Sequence, residues 1–309
     1  MSKRARYSMI LAGICLLLYA FLCLVFPRFA RFVLNRVTCP LLLGLNRLTA
    51  RVPFPLSEPV AFAAGLIALL TLARAVVRRK HEALRRWLRG MAAAFLALAW
   101  ALALTWLPAM ARPADAPPVP DAGQLEWLCE SLIDQLNAAP LAFPEAETAL
   151  RLAPEAADLP GCAVKAARWP EWMRAANISG LFVPPTGEAL ADAGVCEALL
   201  PFTAVHELMH LAGIADEGAA NIAAWERCTA FGGPFADSAR LWALRYALGR
   251  LNMADPDAWR RVRGKMKDPL ARVFRDCGGE ALPRDRFGLI PGLARTAGDY
   301  ADLVGWLAR

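Results

Sequence analysis

Three stretches of the chain are apolar at nearly every position: Met9–Phe26 (MILAGICLLLYAFLCLVF), Pro59–Val77 with Arg74 as its only charge, and Met91 to about Trp106, extendable to Met110. An apolar run of about 18 residues or more is long enough to cross a bilayer as a helix. The pattern therefore predicts transmembrane helices at about 9–26, 59–77 and 91–110. A cleaved signal peptide is the other reading of the first span, but the run is long for one and Pro27-Arg28-Phe29-Ala30-Arg31 is not a small-residue cleavage site. The span is read as retained. Between spans one and two, Cys39–Leu48 is partly apolar and suits the membrane surface. Pro108, Pro113, Pro117, Pro118 and Pro120 then crowd a short segment, which predicts an extended linker over 111–123. What remains, 124–309, mixes apolar and polar positions and is long enough for one core. Ile178-Ser179-Gly180-Leu181-Phe182-Val183-Pro184 reads as a strand, and Glu188–Ala191 as its return. Pro184 and Pro185 suit an edge strand rather than a central one.

Charge sharpens the division. Residues 1–90 hold 15 Lys/Arg against 2 Asp/Glu, a net of +13, whereas 91–309 hold 20 against 26, a net of −6. The overall +7 therefore belongs to the apolar N-terminal region. Its Arg residues flank hydrophobic spans and form no face for nucleic acid, so the partner they imply is the lipid bilayer. Lys3, Arg4 and Arg6 precede span one, and Arg78, Arg79, Lys80, Arg85, Arg86 and Arg89 lie between spans two and three. Basic loops stay in the cytoplasm. Three spans with the N-terminus inside place everything after Met110 outside. Six cysteines (Cys39, Cys129, Cys162, Cys196, Cys228 and Cys277) then face an oxidising compartment. The pairs expected are Cys162–Cys196 and Cys228–Cys277; the alternative is that several are small buried apolar side chains.

The chain has three His, and two of them form His206-Glu207-Leu208-Met209-His210. On a helix, residues four apart share a face, so both imidazoles can address one Zn²⁺. Glu207 on the adjoining face can take a proton from a water the ion activates. The plain alternative is a buried helix with two hydrogen-bonded histidines. A catalytic zinc needs a third protein ligand and an open fourth position. Gly213 can end the helix, and Asp216 can cap a new one. Glu217 falls in the first turn of that second helix. Asn221, one turn on, can hydrogen-bond a ligand from behind, and Ala219, Ala220, Ala223 and Ala224 keep the helix thin for close packing. Glu226, backed by Asp216, is the rival third ligand. Strand 180–183 (Gly180, Leu181, Phe182 and Val183) can pair with a peptide backbone by strand addition, or it can be a plain structural hairpin.

Four stretches resemble a bacterial family of multi-span membrane proteins of unknown function, held to be zinc metallopeptidases. They are Val52–Glu58 (VPFPLSE), Ser179–Glu188 (SGLFVPPTGE), Pro201–Asn221 (PFTAVHELMHLAGIADEGAAN) and, more weakly, the region of Tyr300. The resemblance covers nearly the whole chain. It implies a gluzincin-like site with His206, His210 and Glu217 on zinc. Many relatives carry a second Glu where this chain has Ala219, which leaves Glu217 as the ligand here.

Together these readings predict a mainly α protein: transmembrane helices followed by an extracytoplasmic α+β zincin-like domain, a multi-pass zinc peptidase acting on a peptide or protein substrate. Glu207 is its expected base. The oxyanion donor is expected from Tyr246 or Tyr300, with Tyr300 preferred. The alternative function is a non-catalytic zinc-binding sensor or scaffold of the cell envelope, which has no need of Glu207. A transport subunit is disfavoured, because the spans carry no acid or polar pair to line a path.

Overall fold

The computed structural model describes residues 3–77, 81–111, 119–176, 178–278 and 300–308 and is mainly helical. Two units partition it: one holds residues 1–113 together with 183–188, the other 114–182 with 189–309.

The first unit contains α1 (Lys3–Val25), α2 (Pro27–Val33), a π-helical turn (Leu34–Thr38), α3 (Cys39–Thr49), α4 (Ser57–Val77), α5 (His81–Thr105) and α6 (Leu107–Met110). Three of these, Arg4–Val25 within α1, α4 and α5, are long and apolar enough to cross a membrane. Their apolar side chains point outward: Leu17, Phe62 and Phe95 are each more than 60% exposed. Helices that are apolar on every face and unburied suit a lipid solvent.

The third span differs from expectation. The helix begins ten residues earlier, at His81, because Glu82, Leu84, Arg85 and Arg86 are strong helix formers. It ends at Thr105, beside the expected end near Trp106, and does not include the extension to Met110. Pro108 has no N–H for an intrahelical bond, and it sits in the first turn of the separate α6. The segment expected at the membrane surface is α3, which buries Leu42, Asn46 and Thr49. Residues 78–80, and 112–118 of the expected linker, lie outside the described residues.

The tip of a β-hairpin belongs to this unit. The Glu188 carboxylate accepts the backbone N–H groups of Leu56 and Ser57 at 2.8 and 2.7 Å, and Asn46 Nδ2 donates to Gly187 O at 2.8 Å. Gly187 has φ +65°, and a Cβ there would lie 2.9 Å from Leu42 O, so this turn admits only glycine.

The second unit contains α7 (Ala122–Asn137), α8 (Ala146–Ala156), β1 (Val164–Ala166), α9 (Glu171–Ala175), β2 (Gly180–Val183), β3 (Glu188–Ala191), α10 (Leu200–Leu211), α11 (Glu217–Phe231), α12 (Gly233–Ala254), α13 (Pro256–Arg263), α14 (Asp268–Asp276) and α15 (Tyr300–Leu307). The strand order is β1-β3-β2, with β1 parallel to β3 in the register Val164↔Ala189. Strand β3 is buried along its length, and β2 is an outer strand, half-exposed at Gly180, Leu181 and Val183. All twelve residues of α10 are buried. A helix with no solvent-facing side belongs inside a core, and here α8, α11 and α12 pack around it. Helix α12 also serves its start: Ser238 Oγ accepts from Phe202 N at 3.1 Å, and Trp242 Nε1 donates to Leu199 O at 3.0 Å.

Both expected disulfides are corrected. Cys196 pairs with Cys277, with their Cα atoms 5.2 Å apart, tying the approach to α10 to the end of α14. Neither Cys162 nor Cys228 bridges to its expected partner. Both are buried, and burial pushes the Cys228 thiol well above its ordinary range, so it behaves as a small apolar side chain.

Candidate metal centre

Two helices and the turn between them build the site. Helix α10 is stopped just past its end by Gly213, whose φ of +91° allows Gly213 N to bond His210 O and Ile214 N to bond Met209 O. These paired bonds form the Schellman stop that the glycine predicts. Asp216 then caps α11 by accepting from Ala219 N at 2.8 Å. The reversal is short, and it returns Glu217 to the histidine face of α10.

His206 Nε2 and His210 Nε2 lie 3.1 Å apart, with the rings edge to face. Glu217 Oε2 is 3.1 Å from His206 Nε2, and Oε1 is 3.3 Å from His210 Nε2. These three residues can offer one ligand atom each within 4.8 Å of one another, the one such group of His, Cys, Asp and Glu among the described residues. His210 Nδ1 is 2.7 Å from Ile214 O. A carbonyl oxygen only accepts, so Nδ1 carries the proton, and in the neutral ring Nε2 presents a bare lone pair to the cluster. Two imidazoles and a carboxylate converging on one point, with one ring oriented from behind, are a donor set that could hold a divalent cation.

Charge coupling follows the geometry. Burial pushes Glu217 up, but its bonds to His206 and His210 outweigh this and hold it well below the usual carboxylate range. Burial pushes His210 down, yet the Glu217 carboxylate raises it to about 9. Glu207 is different. It is 5% exposed, and among the described residues no hydrogen bond reaches its carboxylate. Burial raises it to about 7, against the pull of the two histidines and with a smaller push from Glu217.

The other expected site residues fall as follows. Glu226 is exposed and outside the cluster, nine residues beyond Glu217 on α11. Asn221 is fully buried, and neither its Oδ1 nor its Nδ2 has a hydrogen-bond partner among the described residues; His206 Nδ1 is likewise unpaired. Tyr246 stacks on Trp242 at 5.7 Å. Tyr300 opens α15, but its side chain lies outside the described residues. Asp302, two positions on, rests on Gly218, where a Cβ would lie 2.8 Å from the Asp302 Cβ, and so brings α15 against the first turn of α11. Gly180 of β2 meets Glu207 directly. Neither contact was foreseen, although a glycine inside a strand pattern does signal a close approach.

A family profile described as "Protein of unknown function (DUF3810)" matches residues 37–277, and the chain belongs to that family. Neither the curated proteins nor the solved structures yield a match.

Proposed function

We propose that this protein is a membrane-anchored zinc-dependent peptidase of gluzincin-like type. The observation that carries this reading is the convergence of His206, His210 and Glu217 beside a buried Glu207 whose carboxylate receives no hydrogen bond among the described residues. His206 Nε2, His210 Nε2 and a Glu217 oxygen would hold the ion. Zinc bound there supplies Lewis-acid chemistry, polarising a carbonyl and acidifying a water.

The chain's own residues do the rest. Glu207 takes the water's proton on its carboxylate, keeps it out of solvent, and returns it to the leaving amine. A side chain that titrates near neutrality suits both directions of transfer. The outer strand β2 offers backbone groups to an extended peptide and orients it. Tyr300 is the proposed oxyanion donor, at the start of the helix that α11 receives beside Glu217. Cys196–Cys277 supports an extracytoplasmic location for this domain, since such bonds persist outside the cytoplasm.

The test uses the full chain in detergent or nanodiscs, with zinc counted by mass spectrometry and cleavage read from a peptide library. Glu207→Gln should retain zinc and lose about 10²–10⁴ in rate. Equal cleavage by both proteins would exclude Glu207 as the base. Zinc binding by both with no cleavage by either would favour the sensor or scaffold reading.

A further inference from the structure

We propose that Gly180 is a positioning residue for the base: the bare Cα of the outer strand is the wall that sets where the Glu207 carboxylate stands. This rests on the reading of Glu207 as the base. A methyl group at Gly180 would lie 2.7 Å from Glu207 Cγ and 2.8 Å from Cδ, and would overlap Oε1. The glycine is not there for its backbone, because Gly180 is absent from the positive-φ glycines. A strand interior loses stability by carrying glycine, so space is what the position requires.

The strand holds its place, and the Glu207 side chain is the partner that yields. Glu207 sits on α10, whose twelve residues are all buried, and no hydrogen bond from the described residues holds its carboxylate in another direction. Packing against Gly180 is therefore what selects its rotamer. On the strand side, Ser179 O accepts from Asp192 N at 2.9 Å. Asp192 is 3% exposed and is itself held by both Nε and Nη2 of Arg174 and by Gly194 N. Pinned next to this anchor, the strand cannot retreat from an added methyl group. The displacement falls on Glu207. A misplacement of about 1 Å at a reacting group costs on the order of 10²-fold in rate.

The experiment is a double-mutant cycle in the full-length protein, comparing wild type, Gly180→Ala, Glu207→Ala and the double variant. Thermal unfolding of the metal-free forms reads the contact without any substrate. Gly180→Ala should lower Tm by roughly 3–10 °C when Glu207 is present, as overpacking does. It should change Tm by under about 2 °C when Glu207 is Ala, because Cγ, Cδ and the oxygens are gone. An equal shift in both backgrounds would overturn the contact. In the zinc-loaded enzyme, Gly180→Ala should keep its metal, hold KM within about threefold and lose about 10²-fold in kcat. Coupled melting with a kcat within twofold of wild type would overturn the positioning role. Wild type without Glu207-dependent hydrolysis would overturn the peptidase reading and the role that depends on it, while the melting cycle would still decide the contact.

Discussion

Glu188→Ala is expected to destabilise the protein by about 2–4 kcal/mol. Glu188 is 1% exposed, and its two oxygens accept from Leu56 N and Ser57 N at 2.8 and 2.7 Å, at the start of α4. The first N–H groups of a helix have no partner within it, and a carboxylate there also meets the positive end of the helix dipole. A hydrogen bond to a charged group contributes about 1.5–3 kcal/mol, so two give roughly 3–6. Leu56 and Ser57 are half-buried, so their freed N–H groups recover part of this from water, which lowers the figure. Glu188→Gln keeps one accepting oxygen and turns a donor toward the other N–H, and should cost about half as much. Thermal unfolding of the full chain in detergent, followed by Trp fluorescence, should show a drop of roughly 5–10 °C for Ala and less for Gln. Both variants melting within about 1 °C of wild type would refute the reasoning. A fragment starting at 115 lacks Leu56 and Ser57 altogether, and its hairpin tip should become a site of proteolysis.

Three other outcomes are expected. His206→Ala and His210→Ala should abolish metal binding by titration calorimetry and Glu217→Ala should weaken it strongly, whereas Glu226→Ala, at an exposed position, should leave it unchanged. In the metal-free protein, His210, raised to about 9, contributes stability that is complete below its ordinary value of 6.5 and is lost as pH rises through 9. Glu207, raised from 4.5 to about 7, adds a further loss between those values, and metal affinity should tighten about tenfold per pH unit up to about 9 as His210 gives up its proton, a slope that competition titrations measure. Peptide mapping of the unreduced protein should recover Cys196 joined to Cys277, and Cys277→Ser should cost about 2–5 kcal/mol; recovery of Cys162–Cys196 instead would contradict the structure.

What the sequence discloses about this site is what is encoded locally. The spacing of His206 and His210, the glycine stop at 213 and the Asp216 cap all act within a few residues, and together they dictate how Glu217 returns to the imidazoles. The N-terminal spans are legible for the same reason, since an apolar run declares itself. The third span reads to about Trp106, beside the helix end at Thr105; its extension to Met110 continues the apolar composition, but Pro108 breaks the hydrogen-bond ladder. Long-range contacts leave no such trace. Glu188 meets residues 131 and 132 positions away, and Asn46 meets Gly187 across 141. The six cysteines beyond the first span can be paired in 15 ways, and spacing alone does not select Cys196–Cys277. Gly180 was legible as part of a strand, but its contact with Glu207 depends on how sheet and helix pack.

The surroundings of Glu207 and Glu217 differ in the way the proposed roles of base and ligand require. Glu217 faces two imidazoles at 3.1 and 3.3 Å and stays ionised far below neutral pH. A metal ligand has to remain deprotonated, so this environment is the right one, but a group so acidic would hold a proton too briefly to deliver it to an amine. Glu207 stands next to His206 in sequence, yet burial dominates its surroundings and it titrates near 7. Separated in this way, two identical side chains take up different chemistry. Beside the proposed divalent cation, simple attraction would lower Glu207, so that on the proposed mechanism it would begin turnover ionised and able to accept. The acid limb of kcat/KM should therefore lie below pH 7 in the zinc-loaded wild type, and Gly180→Ala, which displaces the carboxylate, should shift it. An acid limb that persists unchanged in the residual activity of Glu207→Gln would assign the titration to another group and remove Glu207 from the proton path.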